Sequence, residues 1–420
     1  MNASKNNNER LLIYTFPFFL VIFTYSQLKG FNMLFARTWI WLFMAVVIAY
    51  NYLKPYFAGK AIQWTVFYAV ILIFNVVSGD PYYSSIPNVL LEVFVIFLCI
   101  LLSKYICILK NKLFLSIIVF LTLAIVIVTS VLTISVIQIM PGVVRQVVVT
   151  LNHEGGELLV LDLYRLGVCE YPFPHALPIL IPPLIFWILN PSHKMMKPVA
   201  TFLLALIFYF LYMCDVGTPL FVAVFLLVAS LIMSKTSVKT SLIRVSILLL
   251  LFAPFFNKGI MVDSLSMVED RIEEDNLIKK KVTDMRLSIQ YGEAEGAADD
   301  RQTLYDKSVD GFLKSPLWGT NDKRYIGGHS VLLDHFSTLG LLGAIPFFLI
   351  IFYHFKFIFD HLPDNVKSFY IVSILGFILM LAIKNMNNIY TWLYVSIIAP
   401  CFLLYACDTK SIKKLSRKNA

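Results

Sequence analysis

Two stretches of the chain combine residue types that can do chemistry at a spacing a fold could use. Arg301 is followed by Tyr305, Gly311-Phe312, Ser315-Pro316 and Gly319. Gly327-Gly328-His329-Ser330, Asp334-His335 and Leu339-Gly340-Leu341-Leu342-Gly343 come next. Arg165 closes Leu163-Tyr164-Arg165-Leu166-Gly167. An arginine presents a permanently charged, planar fork of donors that matches phosphate oxygens. A glycine pair opening a helix can turn its amides and the positive end of the helix dipole toward an anion. An imidazole, with an ordinary pKa near 6.5, can take or give a proton near neutrality. The bland readings sit beside these. Arg301 has Asp299, Asp300 and Asp306 close by, Arg165 has Asp162 and Glu170, and His329 can serve as a hydrogen-bonding turn residue. Tyr305 can be core. Asp334 and His335 can be helix-surface or supporting groups, with Asp334 placed to orient a neighbour, and Lys323-Arg324 a solvated pair beside the motif.

The elements that must position these residues are read from composition. Of 420 residues 59% are hydrophobic and 15% charged, and the mean hydropathy is +0.76. That is too apolar for a soluble enzyme and fits a polytopic α-helical membrane protein. Apolar runs predict twelve spanning helices near 11–27, 36–53, 61–78, 86–103, 113–139, 176–190, 197–214, 218–234, 241–256, 338–355, 368–384 and 389–407. The connection charges test the count. Lys54, Lys60, Lys104, Lys110, Lys112, Lys194, Lys197, Lys235, Lys239, Lys356 and Lys367 fall in alternate connections, whereas 79–85 and 215–218 carry no Lys or Arg. Cytoplasmic loops collect cations. Both termini are therefore expected in the cytoplasm, the basic tail from Asp408 included. The polar segment Met1 to Arg10 lacks a small-residue cleavage site and reads as the start of an uncleaved first helix. The net charge of +9 then reflects topology, and nucleic acid is not expected as a partner. Six scattered cysteines, with no pair or histidine at ligand spacing, are expected to be structural thiols, with no metal and no cofactor.

The division that follows is 1–139 for the first five helices, 140–175 for a first large outer loop, 176–256 for helices six to nine, 257–337 for a second loop carrying the motif, and 338–420 for the last three helices and tail. In the first loop, Val143 to Val149 alternate like a strand, and Tyr171-Pro172-Phe173-Pro174 give a stiff lead-in to the next helix. From Asn257 to Gly328 there are 11 Lys or Arg and 14 Asp or Glu, more than half of all acids, so this loop is expected to be folded and functional. Val268, Ile272, Ile278, Val282, Met285 and Ile289 predict an amphipathic helix, on which Lys279-Lys280-Lys281 reads as a solvated face. A second short helix is expected to start at Asp299-Asp300-Arg301 and to end before Pro316, burying Leu304, Tyr305, Val309 and Phe312. Among intramembrane charges Glu92 is conspicuous, while Arg244 and Lys384 lie near helix ends.

At the residues of the first motif the chain resembles the bacterial O-antigen or capsular polysaccharide polymerases of the Wzy type, in the superfamily that includes the O-antigen ligases. The resemblance is close over about 45 residues, and looser over the twelve-helix layout with a large late periplasmic loop. It implies an inner-membrane, metal-independent glycosyltransferase. A glycan would be moved from undecaprenyl pyrophosphate onto a sugar hydroxyl of a second lipid-linked unit, at the periplasmic face, with a chain-length regulator as a further partner. It also implies roles. Arg301 and Arg165 would hold the departing pyrophosphate, with Gly327 and Gly328 assisting. His329 would be the general base, carried over from the ligases, and Tyr305, Asp334 and His335 would stand behind. His329-Ser330 replaces the His-Asn usual in the ligases, which favours polymerase. The rival readings are a lipid A core ligase and, from another class, a lipid-linked oligosaccharide transporter or flippase. The ionisable residues expected of a proton-coupled transporter near the bilayer midplane are scarce in the sequence, and no internal repeat is visible.

Overall fold

The computed structural model describes residues 53–78, 86–144, 156–189, 196–214, 216–233, 258–271, 298–320, 322–328, 330–384 and 387–407, with isolated positions at 147, 240, 279, 282–283 and 286–287. All regular structure among the described residues is helical. The elements are α1 (Lys60–Val77), α2 (Ile86–Leu109), α3 (Lys112–Ile139), α4 (Gly156–Arg165), α5 (Pro172–Leu189), α6 (Met196–Met213), α7 (Gly217–Met233), α8 (Lys258–Glu269), α9 (Ala298–Lys314), α10 (Val331–His361), α11 (Asp364–Ile383) and α12 (Ile389–Tyr405). Seven of them, α1, α2, α3, α5, α6, α10 and α11, are long and apolar enough to cross a bilayer, and α7 and α12 are shorter apolar helices. Together they correspond to nine of the twelve expected runs. The runs at 11–27 and 241–256, and all but the end of 36–53, lie outside the described residues, as do both termini.

Solvent decides the helical state more than propensity does. α3 is dense in Val, Ile and Thr, residues that favour strands in water. Within hydrocarbon every unpaired backbone amide costs several kcal/mol, and only a helix satisfies them all within one segment. The same override corrects the strand expected at 143–149. Val143, Val144 and Val147 are helical and buried, on the i, i+1, i+4 face of a turn packed into the core.

α12 lies in the middle of the bundle, apolar around its circumference and buried from Tyr390 to Leu404, as a helix without a polar face must be. Trp187 of α5 stacks on Phe402 with ring centroids 5.0 Å apart and donates its indole N–H to the Phe402 carbonyl at 2.9 Å. A π-turn at Tyr394–Ile398 carries Ser396, hydrogen-bonded at 2.9 Å to His354 Nε2 of α10.

α10 is interrupted at Gly340, whose φ of +58° and ψ of −163° break the helix into arms 331–339 and 341–361. The arms fold back on one another. His335 and Phe347 have ring centroids 4.4 Å apart, and Phe336 and Phe348 are at 5.4 Å. In a straight helix twelve residues would separate those positions by about 18 Å. The second arm alone, about 31 Å of helix, is long enough to span. The expected span at 338–355 is thereby shifted, and the boundary expected at 337 falls inside the first arm.

The bundle has a lysine-rich end and a loop end. At the first, Lys104 Nζ donates to the carbonyls of Tyr56, at 3.1 Å, and of Ala58. Lys110, a non-glycine residue at φ +47° closing α2, sends Nζ to the His361 carbonyl at the end of α10 at 2.9 Å. Burial holds the Lys110 ammonium below its ordinary pKa. The loop end carries α4, α9, the first arm of α10 and the described residues Lys384, Asn387 and Asn388. There Thr133 of α3 accepts from the Cys169 amide at 2.9 Å and donates to the Gly167 carbonyl at 3.0 Å, fastening the chain behind α4.

Candidate functional site

α9 begins and ends where its acids and Pro316 predict, and of the expected stripe Leu304, Tyr305 and Phe312 are half-buried but Val309 is not. Ser308 and Gly311 are buried while Val309 is 41% exposed. Small residues on that face let α9 lie close against the first arm of α10. A Cβ on Gly311 would come within 2.2 Å of Ser337 Oγ. Phe312 does turn inward, edge-on to Phe336 at 5.5 Å. Tyr305 donates its hydroxyl to the Ile383 carbonyl at 3.1 Å, so α9 is also tied to the last residue of α11. Arg301 stands on the first turn of this helix, one turn ahead of Tyr305.

The turn after α9 clamps the Gly340 reversal. The amides of Leu341 and Leu342, orphaned at the start of the second arm, donate to the carbonyls of Pro316 at 2.8 Å and Leu317 at 3.2 Å. Thr320 N–H closes on the Ser337 carbonyl at 2.7 Å. Gly319 and Gly340 both have positive φ, and a Cβ on either would fall 2.0 to 2.4 Å from backbone carbonyl oxygens of the other segment. The Ser-Pro-x-x-Gly and Gly-Leu-Leu-Gly pieces of the motif therefore build the scaffold.

Gly327 presses against α9, where a Cβ would lie 2.2 Å from the Leu304 carbonyl oxygen. Its N–H donates to Ser308 Oγ at 3.0 Å, and Ser308 donates to Asp334 Oδ1 at 2.8 Å. Gly328 N–H donates to the same carboxylate oxygen at 3.2 Å. This corrects the expectation that Gly327 and Gly328 offer free amides to a phosphate. Both amides point inward onto a hydroxyl and a carboxyl oxygen, so neither is left for an anion. Asp334 is fully buried, and its Oδ2 has no hydrogen-bond partner among the described residues. It orients a neighbour, as the sequence allowed, and the neighbour is the glycine turn. Ser330 caps the helix that follows, accepting from Leu333 N–H. His329 lies outside the described residues.

His335, beside Asp334 on the same turn, points toward α1 and α2. Its Nε2 is 2.8 Å from the Tyr68 hydroxyl, which reaches Glu92 Oε1 at 3.3 Å. Asn387 Nδ2 donates to the same Oε1 at 2.8 Å, and Trp392 Nε1 donates to Asn387 Oδ1 at 2.7 Å. Tyr68 and His335 are buried, Glu92 and Asn387 partly so. Sequence reasoning marked Glu92 and His335 separately and missed Tyr68 and Asn387. The available signal was the rarity of a carboxylate in a spanning helix, which needs partners.

Arg165 ends α4 and pairs with Asp162 at 2.8 Å, one of the two ion pairs anticipated. Arg324 pairs with Asp322 at 2.6 Å, and the Arg324 guanidinium holds the partly exposed Asp322 carboxyl at about 2. The amphipathic helix expected across 268–289 is interrupted near its start, while the described positions 279, 282–283 and 286–287 are helical. Helix α8 ends at Glu269 and the chain turns at 270–271. Arg286 then returns to Glu269 at 2.6 Å, with Thr283 donating at 2.7 Å. An ion pair between positions 17 apart requires that reversal. The six cysteines are buried, and none forms a disulfide among the described residues. Among the described residues no three His, Cys, Asp or Glu side chains gather as a metal-ligand group.

No family model matches the chain, and no curated protein matches it.

Proposed function

We propose that the chain is a bacterial inner-membrane polysaccharide polymerase, with twelve spans, both termini and the lysine-rich end in the cytoplasm, and the loop end in the periplasm. Loop charge supports the orientation, because Lys54, Lys104, Lys110 and Lys112 stand at one end of the bundle. The substrate is a glycan on undecaprenyl pyrophosphate and the acceptor is a second lipid-linked repeat unit.

In the proposed reaction the acceptor hydroxyl passes its proton to His329, its oxygen forms a bond to the anomeric carbon, and the bond from that carbon to the phosphate oxygen breaks. The electron pair leaves with undecaprenyl pyrophosphate. Arg301 neutralises that leaving group, a task for a permanent cation in a site low in water. Arg165 is a second candidate for the same anion and would have to exchange Asp162 for it. Gly327 and Gly328, held by Ser308 and Asp334, immediately precede His329 in sequence.

One observation carries this reading. The Gly327 turn packs on the Leu304 carbonyl of α9. The glycine turn at 327–328, which precedes His329 in sequence, therefore lies against the helix turn that follows Arg301, although 26 positions separate Arg301 from Gly327.

The test is the surface polysaccharide of a gene-deletion strain resolved on a gel. The expected deletion profile is one repeat unit on the lipid core with the long ladder lost, restored by wild type and not by Arg301→Ala. Bare core with lipid-linked polymer accumulating would indicate the ligase. An unchanged ladder would overturn the polymerase reading.

A further inference from the structure

A carboxylate in the wall of a membrane bundle is costly and needs partners. Glu92 has them, but on one oxygen only. Oε1 takes the hydrogen bonds from Tyr68 and Asn387, while Oε2 takes none among the described residues and the side chain is only partly buried. The partners are themselves fixed. Tyr68 is locked by His335 at 2.8 Å and packs on Phe347 with centroids 5.6 Å apart, and Asn387 is held by the Trp392 indole. Glu92 is therefore oriented by four residues from three other parts of the chain, with one strong acceptor atom left over.

The 384–388 connection ties this carboxylate to the Arg301 helix. Tyr305 donates to the carbonyl of Ile383, and four residues later Asn387 donates to Glu92. Four residues span at most about 14 Å. His335 adds a second link, since it adjoins Asp334, which holds the Gly328 amide. Two independent paths thus bring Glu92 to the edge of the site built by α9 and the glycine turn.

We propose that Glu92 is a sugar-hydroxyl subsite, its free Oε2 accepting a hydrogen bond from a hydroxyl of the glycan, with Tyr68, His335 and Asn387 as positioning residues. A neutral polyol fits because Oε2, left over by Tyr68 and Asn387, can accept a hydrogen bond from a hydroxyl. The inference rests on the glycan-transfer reading and gives that site its sugar-binding side.

The test uses the purified full chain in detergent, elongating the lipid-linked repeat units extracted from the deletion strain. Glu92→Gln keeps the side-chain shape and an oxygen for Tyr68 and Asn387, and places an NH₂ where Oε2 stood. The expected result is a half-saturation value raised about tenfold with the maximal rate within about threefold of wild type, the loss of one hydrogen bond. Tyr68→Phe should raise it less, about threefold, by freeing one anchor. An unchanged half-saturation value in Glu92→Gln would overturn the subsite while leaving the polymerase reading intact. A wild-type protein that elongates nothing would overturn that reading and the subsite with it. Should Glu92→Gln fail to fold, Glu92→Cys gives a second readout, because the six native cysteines are buried. A membrane-impermeant thiol reagent should label Cys at position 92, and the same lipid extract should slow the labelling. Absence of labelling, or labelling indifferent to the extract, would overturn the subsite.

Discussion

The two ends of the bundle use polar groups in opposite ways. At the lysine-rich end Lys104 and Lys110 spend their ammonium groups on backbone carbonyls, closing α2 and the end of α10 against neighbouring segments. At the loop end carboxylates, hydroxyls and amides bond to one another and to backbone groups, and among the described residues Asp334 Oδ2 and Glu92 Oε2 accept no hydrogen bond. The first pattern completes helix termini. The second holds side chains in fixed orientations beside a segment rich in charge. On the proposed function, stability is concentrated at the first end and chemistry at the second, and substitutions should separate them.

The largest expected effect is Arg301→Ala, which should reduce polymer by about 100-fold or more, the usual cost of removing a group that stabilises transition-state charge, while the protein remains folded and inserted. Gel profiles of complemented strains measure the first and size-exclusion chromatography the second. Next is Gly327→Ala, whose Cβ must displace the Leu304 carbonyl and should cost about 1 to 3 kcal/mol of stability together with most of the activity. Gly328→Ala is the control. Its φ is +72° but nothing lies within 4 Å of the new Cβ, so only backbone strain of about 1 kcal/mol is expected. Equal losses in the two variants would mean that the close approach to α9 is unimportant.

Asp334→Ala should then lower turnover about tenfold by leaving the Ser308 hydroxyl and Gly328 amide without their shared acceptor, with a recovery in Asp334→Asn, which retains Oδ1. Lys110→Met sharpens the comparison from the other end. It should cost about 1 to 2 kcal/mol of stability in detergent unfolding and leave turnover unchanged. The smallest effect concerns Asp322, which Arg324 holds at about 2, below the ordinary 3.8. The depressed value means that the pair's contribution is complete above about pH 4 and is lost as pH falls through about 2. No change in activity is expected from this partly exposed pair between pH 5 and 8, and activity profiles of Asp322→Asn and wild type should coincide there.

The spanning helices among the described residues were legible because a run of about 20 apolar residues has one stable outcome in hydrocarbon. The start and end of α9 were legible from Asp299-Asp300 and Pro316. What escaped depends on contacts between distant positions. The apolar residues of α9 suggested Val309 as core, but close packing against α10 selected Ser308 and Gly311 instead. Gly327-Gly328 has the sequence form of an anion cradle, and only the fold shows its amides turned onto Ser308 and Asp334. Gly340 looked like part of a continuous helix, and the reversal there rests on Pro316 and Leu317, more than 20 residues earlier. Glu92 finds Asn387 across 295 positions, a pairing that no local pattern encodes.

The central claim, that the loop end elongates a lipid-linked glycan, is tested most directly in proteoliposomes containing the purified full chain and lipid-linked repeat units from the deletion strain. The account predicts a ladder of longer lipid-linked glycans, with one undecaprenyl pyrophosphate released for each sugar bond formed and neither product with Arg301→Ala. Repeat units that change leaflet without lengthening and without releasing undecaprenyl pyrophosphate would contradict it and identify a transporter.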